Sequence, residues 1–390
     1  MVPFPNPKAH AVQIAHTIYS LAEAGAEVHF FPAKYTQSPK ESMAYYGLAT
    51  HPNLHFCAYQ KLLQRYIKRP GFLLKLWESW RFSRLRSRSP VFYLRDGADS
   101  YQFAQRARQN RDRWNARVVI ECHRVHRIEV EVMEQIEGHV PADKAWVSRQ
   151  AQLEYDGLRA CDAITAISQS LARSIEKTYP VQVHPTILPS GAQQANGETT
   201  PLGKRADIVY AGQLYAWKGL PVLIEAMQYC PGYRLNIVGG NKPAELNAVL
   251  EQIISLGLED RITLLGHRPH NEVASHIATA RCAVIPLGQD PIARLFTSPI
   301  KVFECMAGGV PIVAANYPTI REVLQHEHNA LLFDPASARD LACKITELMR
   351  DDAKSERLRL QALSDLERFT WSGRAEAILA ICDEITHESE

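Results

Sequence analysis

Short apolar runs of strand length alternate with helical stretches along almost all of this chain. The alternation calls for parallel sheets, because parallel neighbours need a crossover, and the crossover that packs back on a sheet is a helix. In the first half the runs fall at 28–31, 91–94, 118–122, 163–167 and 183–188. The polar stretch NGETTPLGKR at 196–205 then interrupts them, and they resume at 208–211, 234–238, 262–265, 283–287, 311–314 and 331–333. At 390 residues the chain is too long for one ordinary core. The pattern therefore predicts an α/β protein of two Rossmann-like doubly wound domains, 1–196 and 205–370, facing each other across a cleft. Ligands of such sheets bind beyond the carboxyl ends of the strands, so functional residues are expected just after them.

The first domain should open with a helix over 6–25, capped by Asn6, with Pro7 in its first turn and Ala11, Ile14, Ala15, Ile18, Leu21 and Ala22 as the apolar stripe. A doubly wound domain would place a strand before Pro3, and none is there. Either the chain starts late or the domain is built without that strand. A formal net charge of +2 gives no global field for nucleic acid, which is not expected as a partner. The eight cysteines are scattered, mostly in apolar runs and without a CxxC pair, so neither a zinc site nor a disulfide framework is expected. No apolar stretch reaches the length of a membrane span, which suggests a cytoplasmic protein. The segment 61–88 carries nine Lys/Arg and one acidic residue, interleaved with Leu, Phe, Trp77 and Trp80. It reads as a solvated helix face, or as a surface for anionic headgroups, which would set the protein at the inner face of a membrane.

Two segments carry chemistry. In IVYAGQLYAWKGLPVLIEAM (208–227) a strand ends at Ala211-Gly212 and Lys218-Gly219 opens a helix. A lysine beside free helix amides can neutralise a diphosphate, although a lone Lys-Gly pair reads equally as a surface turn. In LFTSPIKVFECMAGGVPIVAA (295–315), Ser298 and Pro299 suit a cap and first helical position. Lys301 in the first turn is unfavourable for the helix dipole unless an anion sits there. Glu304, one turn on, could accept two sugar hydroxyls, or could simply pair with Lys301.

These segments, in the order Gly212-x5-Lys218-Gly219, Gly239-Gly240, GHRPHNEV (266–273) and SPIKVFECMAGGVPIVA, resemble the family 4 (group 1) glycosyltransferases. FPNPKAHAVQIAHTIYSLAEAGAEVHFF, LEYDGLRACDAITAIS, LPSGA and FTWSGRAEAIL extend the similarity over most of the chain. The resemblance implies a GT-B fold whose first domain is completed by a terminal helix at 371–390. It implies a nucleotide-diphosphate sugar as donor, a glycan, lipid-linked or small-molecule acceptor, retention of anomeric configuration, and no metal or other cofactor. Carried over residue by residue, Lys218 holds the diphosphate, Glu304 the ribose, and the backbone amides around Ser298–Ile300, a stretch that includes Pro299, with Lys301 beside them, the distal phosphate. Gly212 and Gln213 lie in the same donor loop. His123, ending the strand VVIECH, is the implied catalytic residue, whereas Glu121 is expected to face elsewhere, although strand alternation puts it on the same face as His123. Asn6 and His10 fall in the N-terminal loop on the acceptor side.

Two positions depart from the family. Gln213 stands where an arginine usually follows the glycine, and Phe296 stands where the first glutamate of EX7E is usual. Arg294 is close enough in sequence to restore the lost charge. Two rivals share the architecture: a UDP-sugar 2-epimerase-like enzyme, whose acid/base carboxylates are not recognisable here, and a degenerate sugar-nucleotide-binding protein without turnover.

Overall fold

The computed structural model describes residues 4–32, 37–57, 89–133, 143–193, 201–289 and 291–387. The basic segment 61–88, and with it the expected membrane-facing surface, lies outside the described residues, as do 196–200 of the polar stretch. The chain divides into two units, one of residues 1–43, 49–189 and 374–390, the other of 44–48 and 190–373. The change of unit thus falls ahead of the polar stretch expected to mark it. The Ala192 N–H donates to the Phe369 carbonyl at 3.0 Å, and Ala192 bridges Thr370, which ties this segment to the second unit.

In the first unit, β1 (Val28–Phe30) and β2 (Leu54–Phe56) form a parallel pair. Four further parallel strands run in the order β3 (Val91–Arg95), β4 (Arg117–Cys122), β5 (Ala163–Ala166) and β6 (Thr186–Ile187). Every residue of β4 and β5 is buried, as expected of strands covered on both faces. The first helix is Ala9–Glu23, shorter than the expected 6–25, and buries Ala11, Ala15, Ile18, Leu21 and Ala22 at helical spacing. Pro7 lies outside it and Lys8 is its N-cap. Asn6 does not cap: its side-chain oxygen accepts from the Lys8 N–H at 3.0 Å in a tight turn before the helix. No strand precedes this helix among the described residues; Phe4 makes a single β-bridge and packs edge-on against Phe30 at 5.0 Å. The C-terminal helix Trp371–His387 supplies core to this unit, with Ala375 and Ile378 against Leu21 and Leu188, and Ile381 and Ile385 against Val119 and Ala163.

The second unit is one six-stranded sheet. Its order is β12 (Leu331–Phe333), β11 (Ile312–Ala315), β10 (Cys282–Ile285), β7 (Ile208–Ala211), β8 (Leu235–Val238) and β9 (Ile262–Gly266), all parallel. Strand order reverses between β7 and β10, and the crevice at such a reversal is where open α/β sheets bind ligands. Each unit has the Rossmann-like α/β build expected. No helix of the described residues is long and apolar enough to cross a membrane.

Candidate functional site

At the reversal point the loops after β7, β8 and β10 are knit through backbone. The Gly288 N–H donates to the Trp217 carbonyl at 2.9 Å, and the Gly212 N–H donates to Val238 at 2.9 Å. Gly219 has φ +72°, and a Cβ there would sit 2.1 Å from the Pro286 carbonyl oxygen. Gly239 has φ +137°, and a Cβ there would sit 1.8 Å from the Gly212 carbonyl oxygen. Only glycine permits both the left-handed backbone and this approach. Gly212 thus lies where two loops pack closely, with its N–H bonded within the sheet.

Lys218 ends the short turn Ala216–Lys218 in this crevice, its ammonium 3.8 Å from the centroid of the Trp217 ring. Burial, and secondarily the Lys301 ammonium, lower its pKa from 10.5 to about 8. Two cations thus converge on one end of the sheet. The Gln213 carbonyl accepts from the Tyr210 hydroxyl at 2.6 Å, while the side-chain oxygen of Gln213 is buried without a hydrogen-bond partner among the described residues.

Lys301 and Glu304 lie on the helix Ile300–Ala307. Their side chains form an ion pair, the bland alternative that the i, i+3 spacing allowed. The helix begins later than expected: its N-cap is Pro299, and Ser298 does not cap it. The Ser298 hydroxyl is turned to Ser190, whose N–H it accepts at 3.2 Å. The first helical amides, at Ile300 and Lys301, have no carbonyl one turn behind them within the helix, which leaves the anion-binding end in place. His270, at the start of the helix His270–Thr279, feels both members of the pair. Burial lowers its pKa, Glu304 opposes this and Lys301 adds to it. Gly308 keeps the two helices close, since a Cβ there would meet Ile277 at 2.8 Å.

Phe296 is buried, 3% exposed. A glutamate there would be an uncompensated charge, which explains how the EX7E pattern is lost without a gap in the fold. Arg294 is exposed on the short helix Pro291–Leu295, and among the described residues no contact joins it to Lys218 or Lys301. The cation whose charge acts on Lys218 is Lys301.

In the first unit the structure corrects the reading of Glu121. Instead of facing elsewhere, its carboxylate is the hub of a buried network. Glu121 Oε1 accepts from Gln13 Nε2 at 3.0 Å and lies 2.5 Å from His123 Nε2; Oε2 accepts from the Tyr93 hydroxyl and from Arg374. Burial opposes ionisation, but Arg374 and the His123 hydrogen bond outweigh it and hold the carboxyl far below its usual range. Burial and the nearby Arg95 lower the His123 pKa, so the imidazole is neutral near pH 7. Its Nε2–H then donates to Glu121 and Nδ1 stands as an acceptor. The His123 N–H is fixed by Asp96 Oδ2 at 2.9 Å. His10 belongs to the same neighbourhood: burial first, then Arg95, Lys8 and His123, lower its pKa to about 4. Arg95 in turn donates to Gln13 Oε1 at 3.0 Å.

The structure so gathers Lys218, Gln213, Lys301 and Glu304 in the second unit and His10 with His123 in the first. Sequence reasoning missed Glu121, Gln13, Arg95, Arg374 and His270. All but Arg95 stood in quoted segments, Gln13 in the opening helix, Glu121 in VVIECH, His270 in GHRPHNEV and Arg374 in FTWSGRAEAIL, but nothing in those segments marked them as partners.

Residues 193–364 match the family described as glycosyl transferases group 1. The chain is 24% identical over 282 residues to a D-inositol 3-phosphate glycosyltransferase of Mycobacteroides abscessus, a stretch covering 69% of this chain and 61% of that protein. In fold it is similar to a sucrose-phosphate synthase from Thermosynechococcus elongatus, with a TM-score of 0.70 at 18% identity, over 98% of this chain and 94% of the other. It is also similar to the Anabaena protein HepE in complex with UDP and glucose, with a TM-score of 0.69 at 17% identity, over 98% of each chain. The family match thus falls within the second unit, and the fold is similar to that of the GT-B glycosyltransferases.

Proposed function

We propose that the chain transfers a sugar from a nucleotide-diphosphate sugar, held in the second unit, to a glycan, lipid-linked or small-molecule acceptor, with retention of configuration and without a metal ion. One observation carries this reading: Lys218 and Lys301 converge at the reversal point of the sheet, and the neighbouring cation helps depress the Lys218 pKa to about 8. Glu304 already partners Lys301, and a diphosphate would give the buried Lys218 ammonium an anionic partner of its own.

Lys218 and the amides at Ile300–Lys301 neutralise the charge that grows on the departing diphosphate, the role a metal plays elsewhere. Glu304 exchanges its Lys301 partner for the ribose hydroxyls, and Lys301 is released toward the phosphates. Gln213 offers an amide where the family has a guanidinium, which weakens the site by one charge. In the first unit, His123 presents Nδ1 as a hydrogen-bond acceptor while Glu121 holds the ring. The group 1 match and the GT-B relatives solved with UDP support a sugar nucleotide as the donor class.

The test is turnover. Purified protein in EDTA is incubated with a panel of UDP-, GDP- and ADP-sugars and candidate acceptors, nucleoside diphosphate release is followed, and the product anomer is read by NMR. Transfer with an unchanged anomeric centre, abolished in Lys218→Ala, supports the proposal; an inverted product or a strict metal requirement overturns it. His123→Ala should reduce kcat roughly 100-fold or more with little change in nucleotide affinity. Nucleotide binding with no turnover for any pair would favour the non-catalytic reading, to which the buried Phe296 and Gln213 would then belong.

A further inference from the structure

The parallel pair β1–β2 carries a cluster that neither site uses. Its register sets His29 opposite His55. Residues two apart share a face of a strand, so Glu27 and His29 from one side meet His55 and Cys57 from the other. Ligand atoms of Glu27, His29 and His55 all lie within 4.8 Å of one another. The His29 and His55 rings are 5.0 Å apart, and His29 Nε2 is 3.2 Å from Glu27 Oε1. Cys57 Sγ lies 3.8 Å from His29 Nδ1, with the Cys57 N–H anchored on the Phe30 carbonyl at 2.8 Å.

We infer that Glu27, His29 and His55 form a binding site for a divalent transition-metal ion of the zinc class. Two imidazoles and a carboxylate are a donor set that zinc accepts, with a fourth position left to water. A tetrahedral ion with bonds of about 2.1 Å holds its ligands about 3.4 Å apart. The Glu27–His29 contact already has that span, and rotation of the exposed Glu27 and His55 side chains closes the remainder. Cys57 sits at the other ring nitrogen of His29 and orients it, the service that outer partners give to metal-binding histidines.

The fold gives such an ion a purpose. β1 and β2 are three residues each and are hydrogen-bonded to one another and to no other strand among the described residues. A pair this short has few backbone hydrogen bonds of its own, and an ion held by both strands would staple it. The sequence hides the set because E-x-H and H-x-C lie far apart and resemble no zinc spacing; only the strand register brings them together. The ion is structural, so it stands apart from the proposed metal-free transfer.

The full chain, treated with EDTA and desalted, is titrated with ZnCl2 by calorimetry and melted with and without Zn2+. One saturable site per chain is expected, with a higher Tm when loaded. His55→Ala and Glu27→Gln should each weaken binding roughly tenfold or more and abolish the Zn2+-dependent rise in Tm, while melting like the wild type in EDTA. The cobalt-loaded protein should show the absorption of a four-coordinate ion. Zinc binding that both variants leave unchanged, or no saturable site, overturns the inference.

Discussion

Lys218 is the residue on which the donor site depends, and its charge can be titrated. Its pKa in the free protein is about 8, lowered by burial and by Lys301. A bound diphosphate favours the protonated form, so binding takes up a proton once the free ammonium begins to deprotonate. Affinity for a nucleoside diphosphate should hold below about pH 7.5 and fall above pH 8, approaching roughly tenfold per pH unit. Lys218→Arg keeps its charge and should flatten this limb; calorimetric titrations between pH 7 and 9.5 measure both. Glu121 works in the opposite sense. Its depressed pKa means that its stabilising contribution is present above the usual carboxylate range and is lost only as pH falls through the lower folded-state value. Glu121→Ala would leave the Arg374 guanidinium, 5% exposed, without its carboxylate. The expected loss is about 3–5 kcal/mol, read from urea denaturation.

At the scale of elements, the crevice of the second unit is shaped by glycines that close the loops after β7, β8 and β10. Gly239→Ala combines a left-handed φ with a contact of 1.8 Å to backbone, and Gly219→Ala does the same at 2.1 Å. Each should cost about 3 kcal/mol or more. Gly203→Ala, whose Cβ would meet nothing within 4 Å, should change stability by less than about 0.5 kcal/mol. The strands were legible in the sequence because fully buried parallel strands read as continuous apolar runs; β4 and β10 through β12 were found within a residue or two. The helix starts at Asn6 and Ser298 were misplaced for a physical reason. Both residues are good caps, but each spends its side chain on a turn or on a distant backbone N–H. A non-local bond such as that of Ser298 to Ser190 leaves no periodic signal, and the Glu121 network, which joins residues from 13 to 374, was hidden in the same way.

At the scale of the whole chain, two Rossmann-like units account for nearly all of the described strands, and the pattern of apolar runs foretold both. What the pattern could not supply was the partnership of charges: that Lys301 acts on Lys218, and that Glu304 rests on Lys301. The central claim is that these groups form a metal-independent site for a sugar nucleotide. The most direct test is a thermal-shift titration in EDTA with UDP, GDP and ADP and their common sugar conjugates, on wild type and Glu304→Ala. One base should stabilise the wild type by about 2.7 kcal/mol at a hundredfold excess over Kd, and Glu304→Ala should lose that shift. Absence of a shift with every nucleotide, or an equal shift in Glu304→Ala, would contradict the account.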